Sequence, residues 1–152
     1  MARTQPRVIA LALLEHPERR AILVSEGHDA TRGTHFHRLL GGGVDPGERG
    51  ADAVRRELEE EIAVEVVVGA HLGTIENIFT YDGRPGHEIV LVFAARFADP
   101  TLYAVERFEG VEADPVNAIW HPLDGPGREV PVYPPGALEL LAPRWGEELP
   151  GG

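Results

Sequence analysis

Residues 41–48 read Gly-Gly-Gly-Val-Asp-Pro-Gly-Glu, and a strongly amphipathic stretch over residues 51–62 follows almost at once. No other segment restricts the fold as tightly. The first part carries too much glycine and proline for a regular element and predicts a loop whose backbone can pass close to a ligand. The second predicts a helix. With Val54 set at 0° and about 100° per residue, Leu58, Ala51 and Ile62 fall within about 80° and form one apolar stripe. Glu61, Glu57 and Glu60 lie on the other side of Val54, at about −20°, −60° and −120°, in an acidic arc beside that stripe. Asp52–Arg56 and Arg55–Glu59 form ordinary i,i+4 pairs on the remaining surface.

The flanks are rich in β-formers. Residues 7–15 and 21–26 predict a hairpin turned at 16–19, and a short strand over 36–40 leads into the glycines. After the helix, residues 64–81 form a strand broken around Gly69 and Gly73, and 82–86 form a turn. A long strand follows over 87–97. Residues 106–115 read as an acidic loop, 116–121 as a short strand and 136–141 as a short terminal helix. The organisation expected is one α+β domain over residues 1–142, with 143–152 as a frayed tail.

Composition narrows the chemistry. The chain of 152 residues has a net charge of −11, which repels polyanions, so neither a nucleic-acid polymer nor an anionic membrane is the expected partner. The apolar run from Val8 to Leu14 spans seven residues, far short of the ~20 that a membrane helix needs. No signal-peptide pattern opens the chain, and the cytoplasm is the expected location. There is no cysteine and no lysine, which excludes thiolate catalysis, Schiff-base chemistry and a P-loop. Ser25 is the only serine and does not lie in a nucleophile elbow. Carboxylates, histidines, arginines and a bound metal remain.

Most glutamate runs are solvated helix faces, and Glu57, Glu60 and Glu61 have that reading open to them. Two details weigh against it. Uncompensated like charges at i,i+3 and i,i+4 each cost roughly 0.2–0.5 kcal/mol. Arg56 can answer Glu60, but Glu61 points toward the edge of the core. A hard divalent cation such as Mg²⁺ would satisfy all three carboxylates.

The residues Gly42-x(5)-Glu48-x(7)-Arg56-Glu57-Leu58-x-Glu60-Glu61-x-Ala63-Val64 resemble the Nudix box, with Ala63 where that family has glycine. The resemblance implies an α/β/α sandwich around a mixed β-sheet. It also implies Mg²⁺- or Mn²⁺-dependent hydrolysis of a diphosphate in a small nucleotide derivative. By the same resemblance Glu57, Glu60 and Glu61 are metal acids, the Gly41 carbonyl adds a ligand, Glu48 supports the site and Arg56 orients a glutamate. Glu57 is the first choice for general base. Nudix dimers are common, so a homodimer is compatible. Ala63 stands where a left-handed helix cap is expected, at a cost on the order of 1 kcal/mol for alanine.

Outside the box, Glu112 and Glu109 are loop acids ahead of Trp120 that are candidates to reach the metal, against a solvated alternative. Glu88 is an alternative base. His35 and His37 share one strand face, as a metal pair or as ordinary wall residues. Arg38 is a candidate phosphate contact or, equally, one half of a structural ion pair. Tyr81 lies 17 residues beyond Val64, where some dinucleoside-polyphosphate hydrolases carry a substrate tyrosine. Phe79 occupies the position at which ADP-ribose-cleaving relatives place proline, which points away from ADP-ribose. A nucleotide-sensing module without hydrolysis is the competing function, although such modules typically lose box acids. Isomerase chemistry on the same fold relies on a cysteine that this chain lacks.

Overall fold

A computed structural model describes residues 5–141. The elements are β1 (Arg7–Leu14), β2 (Ala21–Asp29), β3 (Thr34–Gly43), α1 (Gly50–Ile62), β4 (Val66–Tyr81), β5 (Arg84–Phe97), β6 (Arg107–Phe108), β7 (Ala118–Pro122) and β8 (Val132–Tyr133). The strands form one mixed sheet in the order β4-β5-β1-β3-β2-β7-β6, with β8 beside β3. β1 runs parallel to β5 and antiparallel to β3.

The expected hairpin between the first two strands does not form. β3 lies between them, and only an isolated bridge, Glu15 to Ile22, joins the two segments directly. The reason lies in β1 itself: Ile9 to Leu14 are buried on both faces, as suits an interior strand that needs a neighbour on each side. The hairpins are β2–β3 and β4–β5.

The glycine triplet also differs from expectation. Gly41, Gly42 and Gly43 are the end of β3, paired with Leu11, Ala10 and Ile9, and the loop begins only at Val44. Glycine is needed here for space rather than for a turn. A Cβ on Gly42 would come within 2.5 Å of the Glu57 carboxyl carbon, and Gly41 sits at φ 141° with the β1 backbone against it. The break expected around Gly69 and Gly73 is a pair of register shifts between Val68 and Gly73, after which β4 continues to Tyr81.

Strand alternation sorts the interior into two layers. On the α1 side, Ala10, Ala12, Leu14, Leu23 and Leu40 pack with Val54, Leu58 and Ile62. On the other side, Ile9, Leu11, Ile22, Val24 and Leu39 are covered by Ala137 and its neighbours. The terminal helix expected over 136–141 is reduced to a 3-10 turn, Leu138–Leu140. The expected tail, residues 143–152, lies outside the described residues, as does part of the expected domain span. The α+β class with a mixed sheet holds.

Candidate active site

α1 buries Ala53, Val54, Leu58 and Ile62, whereas Ala51 is only partly covered. Exchanging Ala51 for Ala53 widens the buried arc to about 180°, so it now encloses the directions of Glu57 and Glu61. These two acids therefore lie inside the helix–sheet contact instead of beside it. Glu60 stays on the exposed side.

Arg56 organises the helix start. Its Nε and Nη2 donate to the two carboxylate oxygens of Glu48, each at 2.9 Å. Nη2 also donates to the Gly43 carbonyl at 2.9 Å, while Nη1 donates to Glu57 at 3.0 Å and Glu60 at 3.2 Å. One planar guanidinium thus ties the loop, the end of β3 and the acidic face together. Glu48 further accepts from the Asp45 N–H, and hydrogen bonding to Arg56 is the main cause that lowers its carboxyl from 4.5 to about 2. The Glu57 carboxylate sits over Gly42, where no Cβ stands in its way.

Glu61 is the most perturbed acid of the site. Burial is the largest cause, and with the charge of Glu57 it pushes the carboxyl from 4.5 up to about 8. Glu112 acts in the same direction, while the Arg38 guanidinium and a hydrogen bond from the Gly41 backbone act against it. Five sequence candidates therefore meet here: Glu57, Glu61, Glu112, Arg38 and Gly41. The acidic loop is held in place by its backbone. Val111 N–H donates to the Glu61 carbonyl at 3.0 Å, and Gly110 N–H donates to Asn117 Oδ1 at 3.0 Å. Asn117 was invisible as a site residue in the sequence, because its role is to fix a loop contact made only in the fold.

Other candidates lie apart. Glu109 is exposed and accepts from Arg107 at 3.3 Å. Glu88 pairs with Arg7 and Asn77 on β5, two strands from β3. His37 faces away from α1 and meets His121 through the two Nδ1 atoms at 2.9 Å, whereas His35 stacks against His28. Burial lowers the pKa of both His37 and His121. Tyr81 sits at the tip of the β4–β5 hairpin, with its hydroxyl donating to the His28 carbonyl at 3.2 Å. Among the described residues no three carboxylate or imidazole side chains converge closely enough to enclose a metal ion.

A family model, the NUDIX domain, matches residues 4–135. The chain belongs to that family. A NUDIX hydrolase from Nitrosomonas europaea superposes with a TM-score of 0.61 at 18% identity, covering 90% of this chain and 86% of its own. The ORF135 protein of E. coli gives 0.57 at 20% identity, with the same coverage of 90% and 86%. A carboxymethylenebutenolidase of Rhodococcus opacus is 31% identical over 117 residues, or 76% of this chain. The chain spans only 41% of that relative's length.

The departure at Ala63 leaves the NUDIX helix cap intact. Ala63 adopts φ 56° and ψ 41°, the left-handed region, and its N–H donates to the Glu59 carbonyl at 2.9 Å. Alanine tolerates here a conformation that glycine adopts without cost.

Proposed function

We propose that this NUDIX hydrolase cleaves a diphosphate linkage in a nucleoside diphosphate derivative and that it requires Mg²⁺ or Mn²⁺. The observation that carries the reading is the gathering of acids at the end of β3, where the Glu57 carboxylate lies against Gly42 and the half-buried Glu61 carboxyl, pushed up to about 8, feels the charges of both Glu57 and Glu112. Without a cation this arrangement costs stability, so its retention has a reason in ligand binding. The donor set suits a hard ion, since Mg²⁺ takes oxygen ligands and commonly uses one or two carboxylates plus waters and substrate phosphate oxygens. That habit also fits acids that surround a site on one side without closing it. Glu57, Glu60 and Glu61 would hold the ion, with Glu112 and the Gly41 carbonyl as further ligands. When bound, the ion neutralises phosphate charge and lowers the pKa of water.

The protein residues do the rest. Glu57, oriented by Arg56, accepts the proton of the attacking water. Glu48 keeps Arg56 in place through the paired hydrogen bonds, and Arg38 supplies positive charge to a phosphate next to Glu61. No covalent intermediate is needed, because water is the nucleophile. A covalent route finds no thiol here, and the one serine hydroxyl donates to the Arg38 carbonyl at 3.2 Å.

The test is a metal-dependent phosphate-release assay across nucleoside triphosphates, nucleotide sugars, dinucleoside polyphosphates and ADP-ribose, run beside Glu61→Gln. Hydrolysis that needs Mg²⁺ or Mn²⁺ and is lost in the variant upholds the reading. Turnover in EDTA, or tight nucleotide binding without turnover, overturns it.

A further inference from the structure

Beyond the acids, β3 carries a second row of side chains. Leu40 packs on the α1 side and Gly42 lies under Glu57, so Arg38 and Phe36 continue the same face by strand alternation. Arg38 is the cation whose charge reaches Glu61. Phe36 lies two residues farther, about 7 Å along the strand. Its ring spreads across Gly27 of the neighbouring strand, where a Cβ would stand 2.5 Å from Cε2 and Cζ.

Two tyrosines border this ring. Tyr133 reaches it from β8, paired to β3 at Arg38, with centroids 5.4 Å apart and planes at 83°. Tyr81 reaches it from the β4–β5 tip, beside the β2 backbone, at 5.9 Å and 87°. Tyr81 is 42% exposed, and Phe36 and Tyr133 are only half-buried. The acidic loop runs alongside, since Glu112 acts on Glu61 and Asp114 acts on Tyr81. Acids, arginine and aromatic ring therefore follow one another along a single line.

We propose that Phe36, bordered by Tyr133 and Tyr81, is the stacking platform for the planar base of the substrate, and that Arg38 holds the phosphate nearest the sugar. The inference rests on the diphosphate-hydrolase reading above and adds to it the residues that select a base-bearing substrate. A platform of this type accepts any base, because every base has a π-face. The enzyme then favours nucleoside diphosphates over base-free diphosphates while discriminating weakly among purines and pyrimidines.

The test is calorimetric binding, in Mg²⁺, of α,β-methylene-ADP and of base-free methylenediphosphonate to wild type, Phe36→Leu and Phe36→Tyr. Phe36→Leu is expected to weaken the nucleotide probe about tenfold while the base-free probe holds its affinity, and Phe36→Tyr restores the nucleotide affinity. Should the leucine variant fail to fold, Tyr81→Leu at its exposed position gives the same selective loss, of smaller size. Equal losses for both probes mean a packing role and overturn the proposal. So does a wild type that binds the nucleotide no better than the base-free probe. The two readings fail separately. Ring-dependent nucleotide binding without turnover upholds the platform and removes the hydrolase mechanism, whereas turnover indifferent to residue 36 does the reverse.

Discussion

Two acids of the site titrate in opposite directions, and each has its own pH signature. Glu61 rises from 4.5 to about 8. Below 4.5 both folded and unfolded chains hold its proton and folding is not penalised. As pH climbs from there to about 8 the unfolded chain ionises while the folded one does not, so stability falls across that window and then levels. The metal-free protein is therefore expected to lose melting temperature between about pH 5 and about pH 7.5, each about half a unit inside that window, and Glu61→Gln to flatten the decline. Glu48 behaves oppositely. Its carboxyl is lowered to about 2, so its contribution is complete above 4.5 and disappears as pH falls toward 2. A melt series from pH 2 to pH 9 on Glu48→Gln and Glu61→Gln separates the two. At the same scale, Glu60→Gln and Glu61→Gln are each expected to reduce turnover at least ~10²-fold, about 2.7 kcal/mol of transition-state stabilisation. Near-normal rates in both would remove the acids from the mechanism.

The helix and its two ends are where local chemistry and tertiary structure divide the work. At the start, Arg56→Lys keeps the charge but cannot serve Glu48, Gly43, Glu57 and Glu60 together. We expect turnover to drop at least ~10-fold with a smaller change in KM, since substrate is not its partner. Steady-state kinetics on the variant checks it. At the finish, Ala63→Gly relieves a left-handed alanine and is expected to raise stability by up to ~1 kcal/mol, read as a higher denaturant midpoint. Much of α1 was legible beforehand, because residue spacing, cap position and acid placement are all local. The fate of Gly41–Gly43 was not. Their strand pairing depends on Ile9–Leu11, some thirty residues upstream, and their lack of Cβ atoms matters only once Glu57 arrives from the helix. For the same reason Glu112 could be separated from Glu109 only in the fold, where the loop is tied to Glu61 through Val111. Phe36 and Tyr133 gave no sequence signal, being nearly a hundred residues apart and neighbours only because β8 lies along β3.

For the molecule as a whole, the cation is expected to act as a stabiliser. An ion that binds only the folded chain adds RT ln(1 + [Mg²⁺]/Kd), about 2.7 kcal/mol at a hundredfold excess. Wild type should melt higher in Mg²⁺ than in EDTA, whereas the triple Gln variant at 57, 60 and 61 should exceed wild type in EDTA and ignore the metal. A wild type whose melt is unmoved up to ~10 mM Mg²⁺, with or without a non-hydrolysable diphosphate, would return the acids to a purely structural role. The buried proton on Glu61 has one more consequence. If Glu61 holds the ion as proposed, that proton must leave first, and loading the site is expected to acidify the solution with a heat that depends on the buffer chosen. Acid conditions thus hinder ion uptake while they strengthen the metal-free fold. Across the range in which Glu61 titrates, this chain is most durable where it is least able to work.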